Sequence, residues 1–260
     1  MRARALLELP GVPPLLSLAF LLAVWQAASA ALGQSSFPPP GQALRVLPSL
    51  LGDPDTYRNI AASLSRMVTG FALGVAVAVP MGLAMGRSRR VADFLNPLLT
   101  VIFPIPKAAL MPIIMLWVGV GDLSKVLVIF LGVSLPLVYH SYQGARAVDE
   151  RLVWSAMAMG MRPVARLLRV ILPSALPEVL LGCRVGLAMA LIVMITSEMI
   201  ARQSGAGNIL FNSLDMALYD NVYAMIVVLA VLAYAVDIAF EQVRRRLTFW
   251  AETREASLSP

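Results

Sequence analysis

An all-α polytopic membrane fold of about six transmembrane helices is what this sequence predicts, on three observations. Of 260 residues, 59% are hydrophobic and 14% charged, with a mean hydropathy of +0.78; soluble domains run at about 45–50% apolar and about 25% charged. The apolar residues are gathered into runs long enough to cross a bilayer, which takes roughly 20 helical residues at about 1.5 Å rise each. The arginines are gathered on the connections of one side. A soluble core of this size cannot hide so much apolar surface, so lipid must cover the remainder.

The first span, about 13–33, follows a basic start and ends on an Ala-x-Ala-like stretch, "WQAASAALG". That is also how a secretory signal peptide reads. The apolar run continues to about Leu32, longer than such a peptide's apolar region, and retention as a helix is expected. The second span, about 60–86, follows the proline-rich connection "SSFPPPGQALRVLPSLLGDPDTY". It carries Arg66, and its Gly70 and Gly74 form a small-x-x-x-small face for close helix packing. The third, about 94–118, contains Pro104, Pro106 and Lys107 near its middle. Those prolines break a helix and free backbone carbonyls, as in spans that line cavities. The fourth, fifth and sixth spans are expected at about 123–143, 177–200 and 222–243.

Orientation follows from charge. Arg87, Arg89, Arg90, Arg146, Arg151, Arg162, Arg166, Arg169 and Arg244 to Arg246 fall on one side, against Arg45, Arg58, Lys125 and Arg202 on the other. Loops rich in Lys and Arg stay cytoplasmic. The expected organisation is a cytoplasmic N-terminal tail over 1–12, one transmembrane domain over 13–243 and a cytoplasmic C-terminal tail over 244–260. Both termini and the longest connection, 144–176, are then inside.

That connection reads as a bent helical hairpin. "VDERLVWSAMAM" has helical propensity, with Asp149 and Glu150 near its start, where the helix dipole favours acids. Gly160 interrupts it, and "RPVARLLRVIL" restarts with Pro163 in its first turn. Arg162, Arg166 and Arg169 fall on one helical face. Pro173 and Pro177 are expected to end this helix and begin the fifth span. Each arginine alone also fits a plain positive-inside loop, but such a loop does not need a defined bend.

Charges inside the spans are costly, about 2.5–3.5 kcal/mol on insertion scales, and usually face protein or water. Lys107 has two readings: an anion-attracting group in a broken span, or structural repair by pairing with a carboxylate or capping the break. Arg184 is placed to snorkel to the headgroups. Glu198 and Asp237 are gate or pairing residues. The segment 201–221 is an external plug, part of a docking surface, or an ordinary packed loop. One cysteine, Cys183, and one histidine, His140, leave no disulfide, no thiol metal cluster and no Cys–His enzyme site.

The spacing from Ala156 to Gly160, then to Val170-Ile171-Leu172-Pro173, resembles the EAA–G–I-x-LP signature of ABC importer permeases. "PIPKAALMPIIMLWVGVGDLSK", "SEMIARQSGAGNIL" and "VDIAFEQVRRRLTFW" extend the likeness to the nitrate/sulfonate/taurine-type branch, over nearly the whole chain. The resemblance implies a permease subunit in the inner membrane of a prokaryote, not an enzyme and not a nucleic-acid binder. It implies a homodimeric pore for a small anionic solute, two cytoplasmic ATPase subunits that bind the ATP and Mg, and an extracytoplasmic solute-binding protein. Glu150, Trp154, Ser155, Ala156, Gly160, Arg162, Arg166, Leu172 and Pro173 would form the ATPase-coupling set. Lys107, Pro104, Pro106 and Glu198 would form the substrate path.

This chain departs from the motif at its glutamate, which falls on Trp154, and at its first alanine, which falls on Ser155. An indole only donates hydrogen bonds, so Glu150, one turn earlier, is the expected stand-in. A phosphate-binding G-x-x-x-x-G-K-[ST] loop is excluded, because the two lysines, Lys107 and Lys125, follow Pro106 and Ser124. Any ATP is bound by another polypeptide. A stand-alone secondary transporter or channel is the competing reading. It leaves the bent hairpin without a purpose. A membrane scaffold without transport would leave the broken third span unexplained.

Overall fold

The computed structural model describes residues 12–251, which leaves most of the two expected tails, 1–11 and 252–260, outside the described residues. Helix α1, Val12–Leu32, is followed by α2, Pro40–Gly52, and by α3, Pro54–Arg87. Helix α4, Arg89–Ile102, meets a 3-10 turn, Lys107–Leu110, that leads into α5, Met111–Val118. Helix α6, Asp122–Arg146, and the short α7, Glu150–Ala158, precede the longest element, α8, Pro163–Ala201. Helices α9, Ala206–Asp215, and α10, Tyr219–Leu247, follow. Among the described residues, five helices, α1, α3, α6, α8 and α10, are long and apolar enough to cross a membrane. The pair from α4 to α5 makes a sixth if counted as one span, bent by 82° at the expected prolines.

Local sequence explains where these helices start. Pro54 opens α3 behind Asp53, whose carboxylate accepts the Asp55 N–H at 3.1 Å. Asp149 caps α7 by accepting from the Arg151 N–H at 2.8 Å. Both are acidic caps at a helix N-terminus, where they satisfy N–H groups the helix leaves unpaired.

Helices α3, α6 and α8 form the core. Val128, Ile129, Val133 and Leu137 of α6 are buried between Met67, Ala78 and Leu83 of α3 and Ala190, Val193 and Met194 of α8. The expected close packing of α3 is present and runs further than Gly74. A Cβ on Gly70 would lie 2.7 Å from Ile129 Cγ2, and one on Gly82 would lie 2.7 Å from Ser141 Cβ. Helix α1 stays at the edge, with Leu15, Phe20 and Leu21 exposed. It is held by Trp25, whose indole N–H donates to Pro38 O at 2.9 Å and whose ring lies against Tyr223 of α10.

Two expectations are corrected. The connection after the first span is not only turn: Pro40 starts α2, which packs along α10. Nor do Pro173 and Pro177 separate the hairpin's second helix from the fifth span. One helix of 39 residues runs from Pro163 to Ala201. A π turn, Leu167–Ile171, precedes Pro173, with the Leu172 N–H donating to Leu167 O. The widened turn takes up a proline that cannot donate to Arg169 and whose ring would press on that carbonyl.

Candidate functional site

At the arginine-rich end, α7 and α8 form the bent hairpin, and its turn chemistry explains Gly160. The Met161 N–H donates to Ala156 O at 3.0 Å, and the Gly160 N–H donates to Met157 O at 2.9 Å. This is the paired bonding of a Schellman motif, which places its glycine in the left-handed region; Gly160 has φ +72°. Arg162 is extended, and Pro163 begins α8. Val153 and Ala156 face inward, with Val153 in the same core cluster as Ile171. Leu152, Trp154, Met157 and Met159 face outward with Val164 and Leu168. The hairpin is therefore fastened on one side and presents an apolar patch on the other.

The other expected coupling residues divide between those two sides. Ser155 is exposed and spends its hydroxyl on Arg151 O at 2.8 Å. Arg162 is exposed, Arg166 half-buried, and Leu172 and Pro173 half-buried. The π turn adds a residue to the turn, so Arg169 leaves the register that a regular helix would give it with Arg162 and Arg166. Glu150 pairs with Arg87 at 3.0 Å, and Arg87 also reaches Ala145 O at 3.4 Å. That ties the start of α7 to the ends of α3 and α6. Because Glu150 is half-exposed, Glu150→Gln is expected to cost under about 1 kcal/mol in a thermal melt while weakening ATPase coupling. Unchanged coupling in a protein that melts normally would remove Glu150 as the stand-in for the motif's glutamate.

The break in the bent span lines a cavity of about 700 Å³ between α4, α6 and α8. Asn96, Thr100, Lys107, Tyr139 and His140 supply its polar rim, among Leu99, Phe103, Leu135 and Met189. The Lys107 ammonium lies 2.6 Å from Ile102 O, 2.6 Å from Ile105 O and 3.4 Å from Phe103 O. It caps three carbonyls at the break that Pro104 and Pro106 make, the capping form of the repair reading, while its charge stays beside the cavity. His140 Nδ1 lies 2.8 Å from Glu178 Oε1, joining α6 to α8.

Glu198 does not line that cavity. It is fully buried at the other end of the bundle, where Arg66 Nη1 donates to it at 2.7 Å and Ser63 Oγ lies 2.7 and 2.8 Å from its two oxygens. Arg66 also donates to Asp122 at 2.7 Å and to the Ser204 carbonyl and hydroxyl at 3.0 and 2.6 Å. Lys125, counted with the outer connections from sequence, is fully buried and donates to Ser204 O at 3.1 Å. Lone charges near the same end of three adjacent spans were the available signal for this cluster. Arg184 holds Asp237 of α10 through two bonds of 2.8 Å, and Glu241 lies 3.6 Å away, so Asp237 is a pairing residue.

Comparison with known proteins agrees with this architecture. The family described as "Binding-protein-dependent transport system inner membrane component" matches residues 70–249. The taurine transport system permease protein of Escherichia coli strain K12 is 32% identical over 241 residues, covering 90% of this chain and 88% of that protein. A Bacillus subtilis protein named for aliphatic sulfonates transport is 28% identical, covering 91% of this chain and 87% of its own length. An inward-facing methionine ABC transporter shares the fold, with a TM-score of 0.67 at 17% identity, over 74% of this chain and 95% of that one.

Proposed function

Since the chain belongs to the binding-protein-dependent transport system inner membrane components, we propose that it forms, as a homodimer, the path for a small taurine-like sulfonate. It is the membrane-spanning permease subunit of an ABC importer, and hydrolysis of ATP belongs to a separate subunit. Family membership brings with it a solute-binding protein and a multi-pass place in the inner membrane. The arginine-rich end, with both chain ends, faces the cytoplasm, as the distribution of Arg and Lys favours. ATP and Mg are held by the ATPase subunits, since this chain has no loop for them.

The observation that carries the mechanism is the continuity of α8. Its first turns form one arm of the bent hairpin, and its last turns carry Glu198 in the core. A push on the exposed patch around Trp154 therefore acts on a lever that is itself a pore helix. In this reading Ser155, Ala156, Arg162, Arg166, Leu172 and Pro173 shape the lever, Gly160 sets its angle, and Glu150 ties it down. The Lys107 charge, held beside the cavity by its carbonyls, favours an anionic solute through the local potential rather than by direct contact.

The test is uptake of labelled taurine by vesicles that hold the chain, its ATPase and its binding protein. Uptake competed by short alkanesulfonates and indifferent to nitrate is expected; competition by nitrate alone would overturn the sulfonate assignment. A flexible Gly-Ser pair inserted after Gly160 is expected to leave the fold and ATP hydrolysis intact. Uptake per ATP should fall about tenfold, within the usual range for coupling between sites. Full uptake by that variant would contradict the lever.

A further inference from the structure

The segment 204–207, at the end opposite the hairpin, is gripped by three helices at once. Its three successive N–H groups are taken by side chains from elsewhere: Gly205 by Asn59 Oδ1 at 2.6 Å, Ala206 by Ser63 Oγ at 2.8 Å and Gly207 by Glu198 Oε2 at 3.1 Å. These are groups that the start of α9 would otherwise leave unpaired. Arg66 and Lys125 take the carbonyl of Ser204 just before them. Closeness is required for this: Gly205 has φ +116°, and a Cβ there would overlap the Glu198 carboxylate. On the other side of the turn, Arg202 pairs with Asp215 of α9 at 2.8 Å and lies 3.8 Å over the Phe211 ring. The connection from α8 to α9 is thus tied at both ends.

We propose that Glu198 and Arg66 are positioning residues for transport, welding α9 to the α3–α6–α8 core so that the outer end of the pore opens with core and α9 moving as one body. Helix α9 is then not a plug that swings aside. This rests on the permease reading above, with the α9 end facing outward. For α9 to hinge at Arg202–Gly205, Glu198 would lose the Gly207 N–H, Ala206 would leave Ser63, and Ser204 would leave two cations. Ser63, Arg66, Lys125 and Glu198 are buried and Ser204 partly so, and uncompensated polar groups and charges away from water are the most costly kind to create. The underside of α9 adds to the weld, as Ile209 and Leu210 pack with Ile60 of α3 and Ile195 of α8 around Ala206, Met225 and Leu229.

The assembled transporter tests this with cysteines in place of Ile60 and Leu210, in a Cys183→Ala background, joined by a short bis-methanethiosulfonate. Taurine uptake before the reagent is added reads the permease assignment by itself. After joining, the one-body account expects at least about half of that uptake to remain, together with stimulation of ATP hydrolysis by the loaded binding protein. Uptake abolished by joining and restored by a reductant would overturn the account and make α9 a moving gate. A second variant reads the same claim without a linker. Glu198→Ala is expected to lower uptake per ATP about tenfold, a typical coupling loss, while unstimulated hydrolysis continues, with Glu198→Gln falling between it and the parent. Fewer assembled complexes with unchanged uptake per ATP would mean that Glu198 only helps folding, and would also overturn the proposal.

Discussion

Replacing Arg66 by alanine is expected to destabilise the folded chain by about 3–5 kcal/mol, the usual cost of removing one partner from a buried ion pair. Glu198 would remain fully buried without the cation that bonds it, Asp122 would lose its partner, and Ser204 would keep only Lys125. Arg66→Lys should recover only part of the loss. One ammonium cannot reproduce the planar fork that reaches Asp122, Glu198 and Ser204 together. In detergent, the Ala variant should melt well below the parent and run mostly as aggregate on a sizing column. The double variant Arg66→Ala/Glu198→Ala should be less impaired than the sum of its singles, since it leaves no buried carboxylate without its cation. A single Arg66→Ala protein that melts with the parent would show that Lys125 alone neutralises Glu198.

The second large effect is expected at Gly82. Helices α3 and α6 approach there so closely that an added Cβ would lie 2.7 Å from Ser141 Cβ and 3.0 Å from the Tyr142 backbone nitrogen, with the Val138 carbonyl nearer still. Backbone cannot rotate away as a side chain can, so the two helices must part. Overpacking of this kind costs about 1–3 kcal/mol for small additions and more for larger ones. Gly82→Ala should therefore lower the melting temperature clearly, and Gly82→Val should prevent recovery of folded protein from the membrane. Gly41→Ala is the matched control: its Cβ meets nothing within 4 Å, in the first turn of α2. Equal behaviour of Gly41→Ala and Gly82→Val would contradict the packing described for α3 and α6.

The spans were legible because each is a run of apolar side chains of bilayer length, and the break in the third because Pro104 and Pro106 leave no alternative. The hairpin turn was legible for the same local reason, a glycine followed by Met-Arg-Pro. What the sequence did not reveal depends on partners far along the chain. Arg66 and Glu198 are 132 residues apart, and nothing local says that Lys125 and Ser204 share their site. Arg184 and Asp237, 53 residues apart, read separately in the sequence for the same reason, one as a snorkelling cation and the other as a gate or pairing residue. The continuation of α8 through Pro173 was hidden because the π turn is supported by tertiary contacts of Ile171, whereas isolated propensity favours a stop. Lys107 showed both of its readings in sequence; the capping one became visible only in the three carbonyls within reach of its ammonium.

The most direct measurement of the central claim, that a separate ATPase drives the pore through the α7–α8 hairpin, is purification of the tagged chain from its native membrane in mild detergent. Every companion would be identified and its ATP hydrolysis assayed. The account predicts a stoichiometric ATP-hydrolysing subunit that accompanies the parent chain and is lost when the exposed patch is removed by Leu152→Ser, Trp154→Ser and Met157→Ser, substitutions that leave Val153 and Ala156 in place. A clean oligomer of this chain alone, taking up solute in vesicles on an ion gradient without ATP, would contradict it.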